Sequence, residues 1–281
     1  METPARTSEP SGTPLSAALA LTPLGSGRYR AELGDQWTVG NGRLHGGLML
    51  SLVTHAGLNG LAAHDGADEP PDPVAVSAEF LSAPVVGPVE LTTEVIKTGR
   101  TVSVVRAVLH QSERPVLNAT VSAGRLPEEP IEWTDLPALA AEPPADAIST
   151  IDAPGEVPPL ASACEVRLDR TTAHYLRRQS GPPAIQGWAR PYGEPTSVLF
   201  ALVAADILPP VLFNMARLGW TPTVQLTALV RARPRPGWLR LRTASTVIGG
   251  GWLDEDYTVI DSAGRLVCQA RQLALAPLPR G

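Results

Sequence analysis

The chain has 281 residues, of which 43% are hydrophobic and 18% charged, and its formal net charge is −5. That length allows one large or two ordinary domains with a sizeable core. The arginines are scattered rather than gathered into a basic stripe, which argues against a nucleic-acid partner. The two cysteines, Cys164 and Cys268, are too few and too far apart for a disulfide framework or a four-ligand zinc site, so they favour a reducing cytoplasm.

Residues 1–24 are broken by Pro and Ser, and their apolar run lacks a basic segment directly before it. We predict a flexible N-terminal lead-in rather than a signal peptide. No apolar stretch approaches the roughly 18 residues that are needed to cross a bilayer, so membrane insertion is not expected.

An internal repeat organises the rest of the chain. Shifting the sequence by about 150 positions, without a gap, lays one half over the other, so that Leu91 falls on Leu241 and Gly99 on Gly249. Each copy contains an apolar segment, from Gly46 to His64 and from Thr196 to Pro210, which predicts a helix buried on nearly every side.

Strand-like runs separated by turn residues follow each helix. In the first copy they are VAVSAEFL, PVELTTEVIK, TVSVVRAVLHQ and PVLNATVSAG, and their counterparts lie between Thr223 and Ala276. A shorter strand is predicted before each helix, in RYRAEL and CEVRLD. One central helix followed by consecutive strands indicates an α+β fold with antiparallel sheets rather than a parallel doubly wound sheet.

The predicted domains are residues 25–126 and 161–281. Residues 127–160 between them are rich in Pro and acidic side chains, with neither helical nor strand period, and we interpret them as a linker. Its length suits a connection that travels around one domain, so that the two sheets can lie side by side as one.

Several motifs resemble the hotdog thioesterases, in particular the tandem double-hotdog acyl-CoA thioesterase II group. The resemblance covers roughly residues 25–276. The first copy carries GRLHGGLMLSL and the turn-strand pattern of FLSAPVVGPVELTTEVIKTGRTVSVVRAVLHQ, and the second carries AADILPP, PTVQLTALVRARP and DSAGRLVCQARQ. The fold that the resemblance implies is a tandem double hotdog, in which two antiparallel sheets each wrap a central helix.

The resemblance also implies a function and a site. In that group an Asp, a Thr and a Gln activate the water that attacks a thioester, and matched motif by motif these are Asp206, Thr223 and Gln272. The implied substrate is an acyl-CoA or acyl-carrier thioester, with no cofactor or metal, and the implied setting is fatty acid metabolism. Where relatives often have a second acidic residue two positions beyond the Thr, this chain has Gln225.

The sequence context supports the three candidate residues to different degrees. Asp206 is predicted in the last turn of an apolar helix, a setting that disfavours a carboxylate and suggests use as a base, although a solvated Asp just outside the helix fits as well. Gln272 lies on the apolar face of its strand. Its amide could bind the attacking water, or it could satisfy backbone groups in the core. Alternation alone would point Thr223 outward, unless a bulge re-aims it or the strand begins after it.

Other residues could contribute to the same site. Backbone N–H groups at Gly46 and Gly47, where the first helix begins, could bind the substrate carbonyl. His45 could cap the turn before Gly46, and the cluster of Arg231, Arg233 and Arg235 could meet coenzyme A phosphates or form a solvated strand end. The sequence contains neither G-x-S-x-G nor H-E-x-x-H.

Two alternatives to a thioesterase stay open, namely a hotdog enoyl-CoA hydratase or dehydratase, which would need an Asp-His pair, and a non-catalytic acyl-binding protein. Ala56, Pro73 and Ser122 stand in the first copy opposite the three candidate residues, as a single active site per fused pair would require. We also expect a homodimer or higher homo-oligomer.

Overall fold

The computed structural model describes residues 12–128, 131–153 and 157–277. The elements of the first copy are helices α1 (Pro14–Ala18) and α2 (Gly46–Asp65) and strands β1 (Thr22–Gly25), β2 (Arg28–Leu33), β3 (Thr38–Val39), β4 (Arg43–Leu44), β5 (Asp72–Phe80), β6 (Gly87–Lys97), β7 (Val102–Gln111) and β8 (Arg114–Gly124). The elements that follow are helix α3 (Val198–Ala204) and strands β9 (Ile148–Ser149), β10 (Cys164–Leu168), β11 (Ala184–Pro191), β12 (Thr223–Val230), β13 (Leu239–Ala244), β14 (Ile248–Gly249), β15 (Trp252–Ile260) and β16 (Leu266–Leu275).

Fourteen of these strands form one continuous antiparallel sheet, in the order β1-β2-β6-β7-β8-β5-β12-β16-β15-β13-β11-β10-β9, with β14 added beside β15. The two copies join where β5 pairs with β12. Thr227 lies opposite Ser77 at this junction, and their hydroxyl oxygens are 3.0 Å apart. Because these two residues are also 150 positions apart, the repeat in the sequence corresponds to an approximate twofold axis through the centre of the sheet.

The two central helices pack against the sheet and against each other. Helix α2 is buried on every side, as its all-round apolar pattern predicts, and it contacts β5, β6, β7 and β8. Helix α3 is only seven residues long and ends at Ala204, so the helix expected over residues 196–210 is shorter than predicted. Ser51 of α2 donates to the carbonyl of Leu199 in α3 at 3.0 Å, which joins the two helices directly.

The N-terminal lead-in differs from the expectation. From residue 12 it is ordered, since helix α1 buries Leu15 and Ala18 in the core. The Glu194 carboxylate of the second copy accepts hydrogen bonds from the backbone nitrogens of Leu15 and Ser16 at 2.8 and 3.2 Å. The prediction of a flexible segment was therefore wrong for these residues, and residues 1–11 lie outside the described ones.

The strand before the second helix is more elaborate than predicted. Strand β10 forms as expected, but β11 was not predicted, and it is β11 that pairs with β13 as β2 pairs with β6. The intervening segment carries a 3-10 helix, His174–Arg177. The predicted linker is also partly structured, because β9 pairs with β10 and the carbonyl of Ala140 accepts from the Trp188 indole at 2.8 Å.

Candidate active site

Asp206 lies two residues beyond the end of α3, in the turn that follows it, and not in the last helical turn as predicted. It is not solvated there, since its side chain is only 10% exposed. Its Oδ2 atom accepts a hydrogen bond from the Gly47 backbone nitrogen at 2.7 Å. The carboxylate of the second copy is therefore held at the N-terminus of α2, the positive end of the first copy's helix dipole.

This contact explains why two glycines begin α2. A Cβ atom on Gly46 would lie 2.6 Å from Asp206 Oδ2, and one on Gly47 would lie 2.7 Å from the carbonyl oxygen of Val203. A methyl group on Gly47 would overlap the backbone of α3, and one on Gly46 would displace the Asp206 carboxylate. The pair was expected to bind substrate, but only Gly46 lines the cavity described below, whereas Gly47 is buried and its N–H is engaged by Asp206.

His45 completes this junction as a structural residue. Its Nδ1 accepts from the Leu48 backbone nitrogen at 3.2 Å, so the ring caps α2 as expected. The Nε2 atom therefore carries the proton and donates to the Asp206 carbonyl oxygen at 3.0 Å. Burial lowers the pKa of His45 to about 4, against an opposing effect of this hydrogen bond, so the ring is neutral near pH 7.

Thr223 and Gln272 meet on the neighbouring strands. A register shift between Thr223 and Gln225 in β12 is the bulge that was considered for this position. The Thr223 hydroxyl donates to the Gln272 Oε1 atom at 2.8 Å, so Thr223 points into the site despite its parity. Gln272 is buried beside Ala270 and Ala274, while Gln269 is exposed, as the alternation in β16 predicts.

The sequence interpretation missed two further members of this cluster, Glu255 and Tyr257 of β15. Glu255 lies directly opposite Gln272 in the ladder, and its Oε2 accepts from the Gln272 amide nitrogen and from the Tyr257 hydroxyl. Its Oε1 accepts from the Val211 backbone nitrogen at 2.7 Å. The signal that would have found them is the alternation Leu253, Glu255, Tyr257, Val259, which puts an acid on an apolar face.

One cavity of about 810 Å³ is lined by the polar side chains of this cluster and by Gly46, namely His45, Gly46, Asp206, Thr223, Glu255, Tyr257 and Gln272. Both copies and the segment between them build its walls. The remaining surface is largely apolar, with Met49, Phe80, Leu160, Val166, Leu176, Leu208 and Phe213 among its lining residues. The cavity therefore offers a long apolar chamber with one polar region, as a binding site for a small amphipathic molecule requires.

Two carboxyl groups in this cavity have strongly raised pKa values. Burial raises the pKa of Asp206 to about 7, although the hydrogen bond from Gly47 opposes the shift. Burial also raises the pKa of Glu255 to about 7, and the negative charge of Asp206 adds to the increase. The charges of these two groups are thus close enough to interact, and each can exchange a proton near neutral pH.

A second cavity is lined mainly by residues of the first copy, and Asp206, Thr223 and Gln272 are not among them. This second cavity, of about 1160 Å³, lies beside the C-terminal end of α2, near Asp65 and Asp72. Arg233 and Arg235 line it, and Arg233 forms an ion pair with Asp72 at 2.8 Å. These two arginines are not lining residues of the Asp206 cavity, and Arg233 is largely exposed, as the alternative of a solvated strand end predicts.

Gln225, which replaces the acid often found in relatives, also points away from Asp206. Its amide donates to the hydroxyls of Ser77 and Thr227 at 3.0 and 2.7 Å, at the junction between the two copies. It therefore joins the two halves of the sheet.

Fold and site together define a double-hotdog thioester hydrolase, and the comparisons with known proteins agree. The model of the acyl-CoA thioesterase N-terminal domain matches residues 33–124, and that of the C-terminal domain matches residues 132–276. The chain belongs to this acyl-CoA thioesterase family. Proteins of Mycobacterium tuberculosis and Mycobacterium bovis, both described as uncharacterized, are 38% identical over 93% of this chain and 98% of their own length.

Solved structures confirm the predicted tandem hotdog fold. A putative thioesterase II from Thermobifida fusca is 28% identical, with a TM-score of 0.83 over 96% of this chain and 100% of its own. A hot dog protein of unknown function from Alicyclobacillus acidocaldarius, 19% identical, has a TM-score of 0.80 over 95% of this chain and 98% of its own. An acyl-CoA thioesterase II from Mycobacterium marinum, 16% identical, reaches 0.68 over 95% and 99%. The last two show the fold alone.

Among the residues that the structure describes, no helix has both the length and the apolar character to cross a bilayer.

Proposed function

We propose that this chain hydrolyses acyl-CoA thioesters by direct attack of a water molecule held between Asp206, Thr223 and Gln272. The observation that carries the proposal is the convergence of these residues on one cavity, where Thr223 is hydrogen bonded to Gln272 and Asp206 is held by Gly47. A carboxylate, a hydroxyl and an amide supply the acceptors that a single water needs.

The hydrogen-bond directions support distinct roles. Because the Thr223 proton is committed to Gln272 Oε1, a lone pair of Thr223 remains to accept a hydrogen bond from the water. Asp206 with a pKa of about 7 is a base matched to neutral pH. As the water oxygen bonds to the thioester carbon, its proton passes to Asp206. The tetrahedral intermediate then expels the thiolate, which takes up that proton, giving a free acid and a thiol.

The carbonyl oxygen of the substrate gains negative charge in this step, and the start of α2 is suited to stabilise it. Among the described residues none accepts a hydrogen bond from the Gly46 N–H, and Gly46 lines the cavity. A free N–H at a helix N-terminus stabilises an oxyanion through both the hydrogen bond and the dipole. Gly47 contributes indirectly, by fixing Asp206 beside that position.

The lining residues also bear on the thiol half of the substrate. Arg43 is the one lysine or arginine among them, and its guanidinium lies 4.4 Å from the centre of the Trp220 ring. A cation stacked in this way at the cavity is suited to phosphate groups such as those of coenzyme A. The acyl chain would occupy the apolar part of the chamber.

A hydratase is less well supported, although the structure does bring a histidine near an aspartate. The His45 Nε2 atom lies 3.9 Å from Asp206 Oδ2, but both ring nitrogens are already used, one by Leu48 and the other by the Asp206 carbonyl. A ring held in this way cannot also exchange a proton with a substrate. A cytoplasmic location and a homo-oligomer stay predictions from the sequence.

The test is a thiol-release assay over saturated acyl-CoAs of graded chain length, run beside an enoyl-CoA hydration assay. Each acyl group is also supplied on N-acetylcysteamine, which lacks the phosphates. We expect thiol release from acyl-CoA above the uncatalysed rate and no hydration. Hydration without thiol release would favour the hydratase, and binding without either reaction would favour an acyl-binding protein.

A further inference from the structure

Glu255 is a buried acid that the proposed mechanism does not use, although it accepts three hydrogen bonds, from Val211, Tyr257 and Gln272. It is 1% exposed, and among the described residues no lysine, arginine or histidine forms an ion pair with it. A carboxyl group without a counter-charge is costly to bury, so its retention calls for a reason in its contacts.

Those contacts fix the orientation of one amide. A glutamine side chain can exchange the places of its oxygen and nitrogen by rotating about its last bond, and only its partners decide between the two arrangements. Both oxygens of Glu255 face donors, from Val211 on one side and from Gln272 and Tyr257 on the other. An ionised Glu255 can only accept, so the Gln272 nitrogen must face it.

The orientation of the Gln272 amide decides whether the Thr223 hydroxyl donates or accepts. With its nitrogen on Glu255, Gln272 presents its oxygen to Thr223, and the hydroxyl must donate. If the amide turned over, Thr223 would accept from the Gln272 nitrogen, and its own proton would be free to donate to the water, where it would occupy a lone pair of the oxygen that must attack. The chain of hydrogen bonds from Glu255 through Gln272 to Thr223 therefore has one polarity.

We propose that Glu255 is a positioning residue for thioester hydrolysis, which holds the Gln272 amide in the orientation that makes Thr223 an acceptor, and not a donor, towards the attacking water. Tyr257 supports it with a second donor at 3.3 Å, and Asp206 is the nearby acid that shares its cavity. This inference rests on the proposed function. It goes beyond that function because it assigns a fourth residue, from a different strand, that never touches the substrate.

Two substitutions separate the position of the carboxylate from its charge. In Glu255→Gln the side chain keeps its length, but its amide places a donor against either Val211 or Gln272, so the Gln272 amide is free to turn over. We expect kcat to fall about tenfold to a hundredfold with little change in KM, the scale for a misplaced catalytic group. In Glu255→Asp the charge remains but is one methylene too short to reach Gln272, and kcat should fall in the same way.

The pH profile distinguishes these variants further. Ionised Glu255 and Asp206 repel each other, so removing the Glu255 charge should lower the apparent pKa of Asp206. The acidic limb of kcat/KM should therefore move to lower pH in Glu255→Gln and stay in place in Glu255→Asp. If Glu255 served only to fill space, its replacement would neither lower kcat selectively nor shift the acidic limb of the kcat/KM profile.

A double mutant supplies the decisive comparison. Because Glu255 acts through the Gln272 amide, Glu255→Gln should slow Gln272→Ala by less than twofold, in contrast to its effect on the wild type. Equal losses in both backgrounds, or an unchanged kcat in Glu255→Gln that folds as judged by circular dichroism, would overturn the proposal. If Glu255→Gln does not fold, the outcome of Glu255→Asp decides in its place. Absence of thiol release by the wild type would instead refute the proposed function.

Discussion

The carboxylate of Asp206 and the backbone nitrogen of Gly47 lie 2.7 Å apart, although 159 positions separate them in the chain. The acid comes from the second copy and the helix N-terminus from the first. Neither copy alone would contain the arrangement. The fusion of two similar domains therefore builds one composite site, and the opposite region, with Ala56, Pro73 and Ser122, was free to lose the polar groups.

Replacing Asp206 by asparagine should abolish the base while keeping the shape and the acceptor for Gly47. We expect Asp206→Asn to lower acyl-CoA hydrolysis by about tenfold to a hundredfold or more, the usual scale for loss of a general base. Steady-state thiol release measures this. Asp68→Asn, at an exposed position, is the matched control and should leave turnover unchanged. Equal turnover in both variants would remove Asp206 from the mechanism.

Gln272→Ala should slow hydrolysis more than it weakens binding, because the amide orients Thr223 and the water rather than the acyl chain. The measurement is the change in kcat and the change in KM, determined separately for each acyl-CoA of one series. Gln269→Ala changes the same residue type three positions away on the exposed face of β16 and should be silent. A raised KM with unchanged kcat would favour a binding role for Gln272.

Gly46→Ala introduces a methyl group 2.6 Å from the position of Asp206 Oδ2. The carboxylate must then shift, and a displacement of about 1 Å is enough to cost on the order of a hundredfold in rate. We expect a large loss of kcat together with a lower melting temperature. Gly249→Ala is the control, since no atom lies within 4 Å of its added methyl group. An alanine at position 46 that preserves full activity would show that this contact does not position the base.

The rate should rise with pH through the neutral range. Asp206 acts as a base only when ionised, and burial raises its pKa to about 7, so kcat/KM should be low near pH 5 and should level off above pH 8. The profile is measured by thiol release after subtraction of spontaneous hydrolysis. In Asp206→Asn any limb that persists should report Glu255, whose pKa burial also raises to about 7, and only the double variant Asp206→Asn, Glu255→Gln should give a flat profile.

The large elements of the fold could be predicted because their signals are local and repeated. The alternation in β5 to β8 and the apolar run of α2 placed these elements to within a few residues, and the parity of Gln272 predicted its burial. The same reasoning extended to Glu255 would have found it. The signal there was present but had no familiar motif around it.

The parts that could not be predicted depend on contacts between distant segments. The ordered helix α1 is held by Glu194 of the second copy, and β11 has no periodic signal that distinguishes it from a loop. Thr223 points inward only because of a bulge, which alternation cannot foresee. The solvated or buried state of Asp206 was likewise set by α2, from the other half of the chain.

The most direct test of the central claim is a single-turnover reaction in water labelled with oxygen-18, with enzyme in excess over an acyl-CoA. If water attacks the thioester directly, the free acid that forms in this first turnover carries one oxygen-18 atom. Attack by the Asp206 carboxylate itself would form an anhydride, and hydrolysis of this anhydride at its aspartyl carbon leaves the label in the protein. Unlabelled acid, with oxygen-18 in the peptide that contains Asp206, would contradict the account.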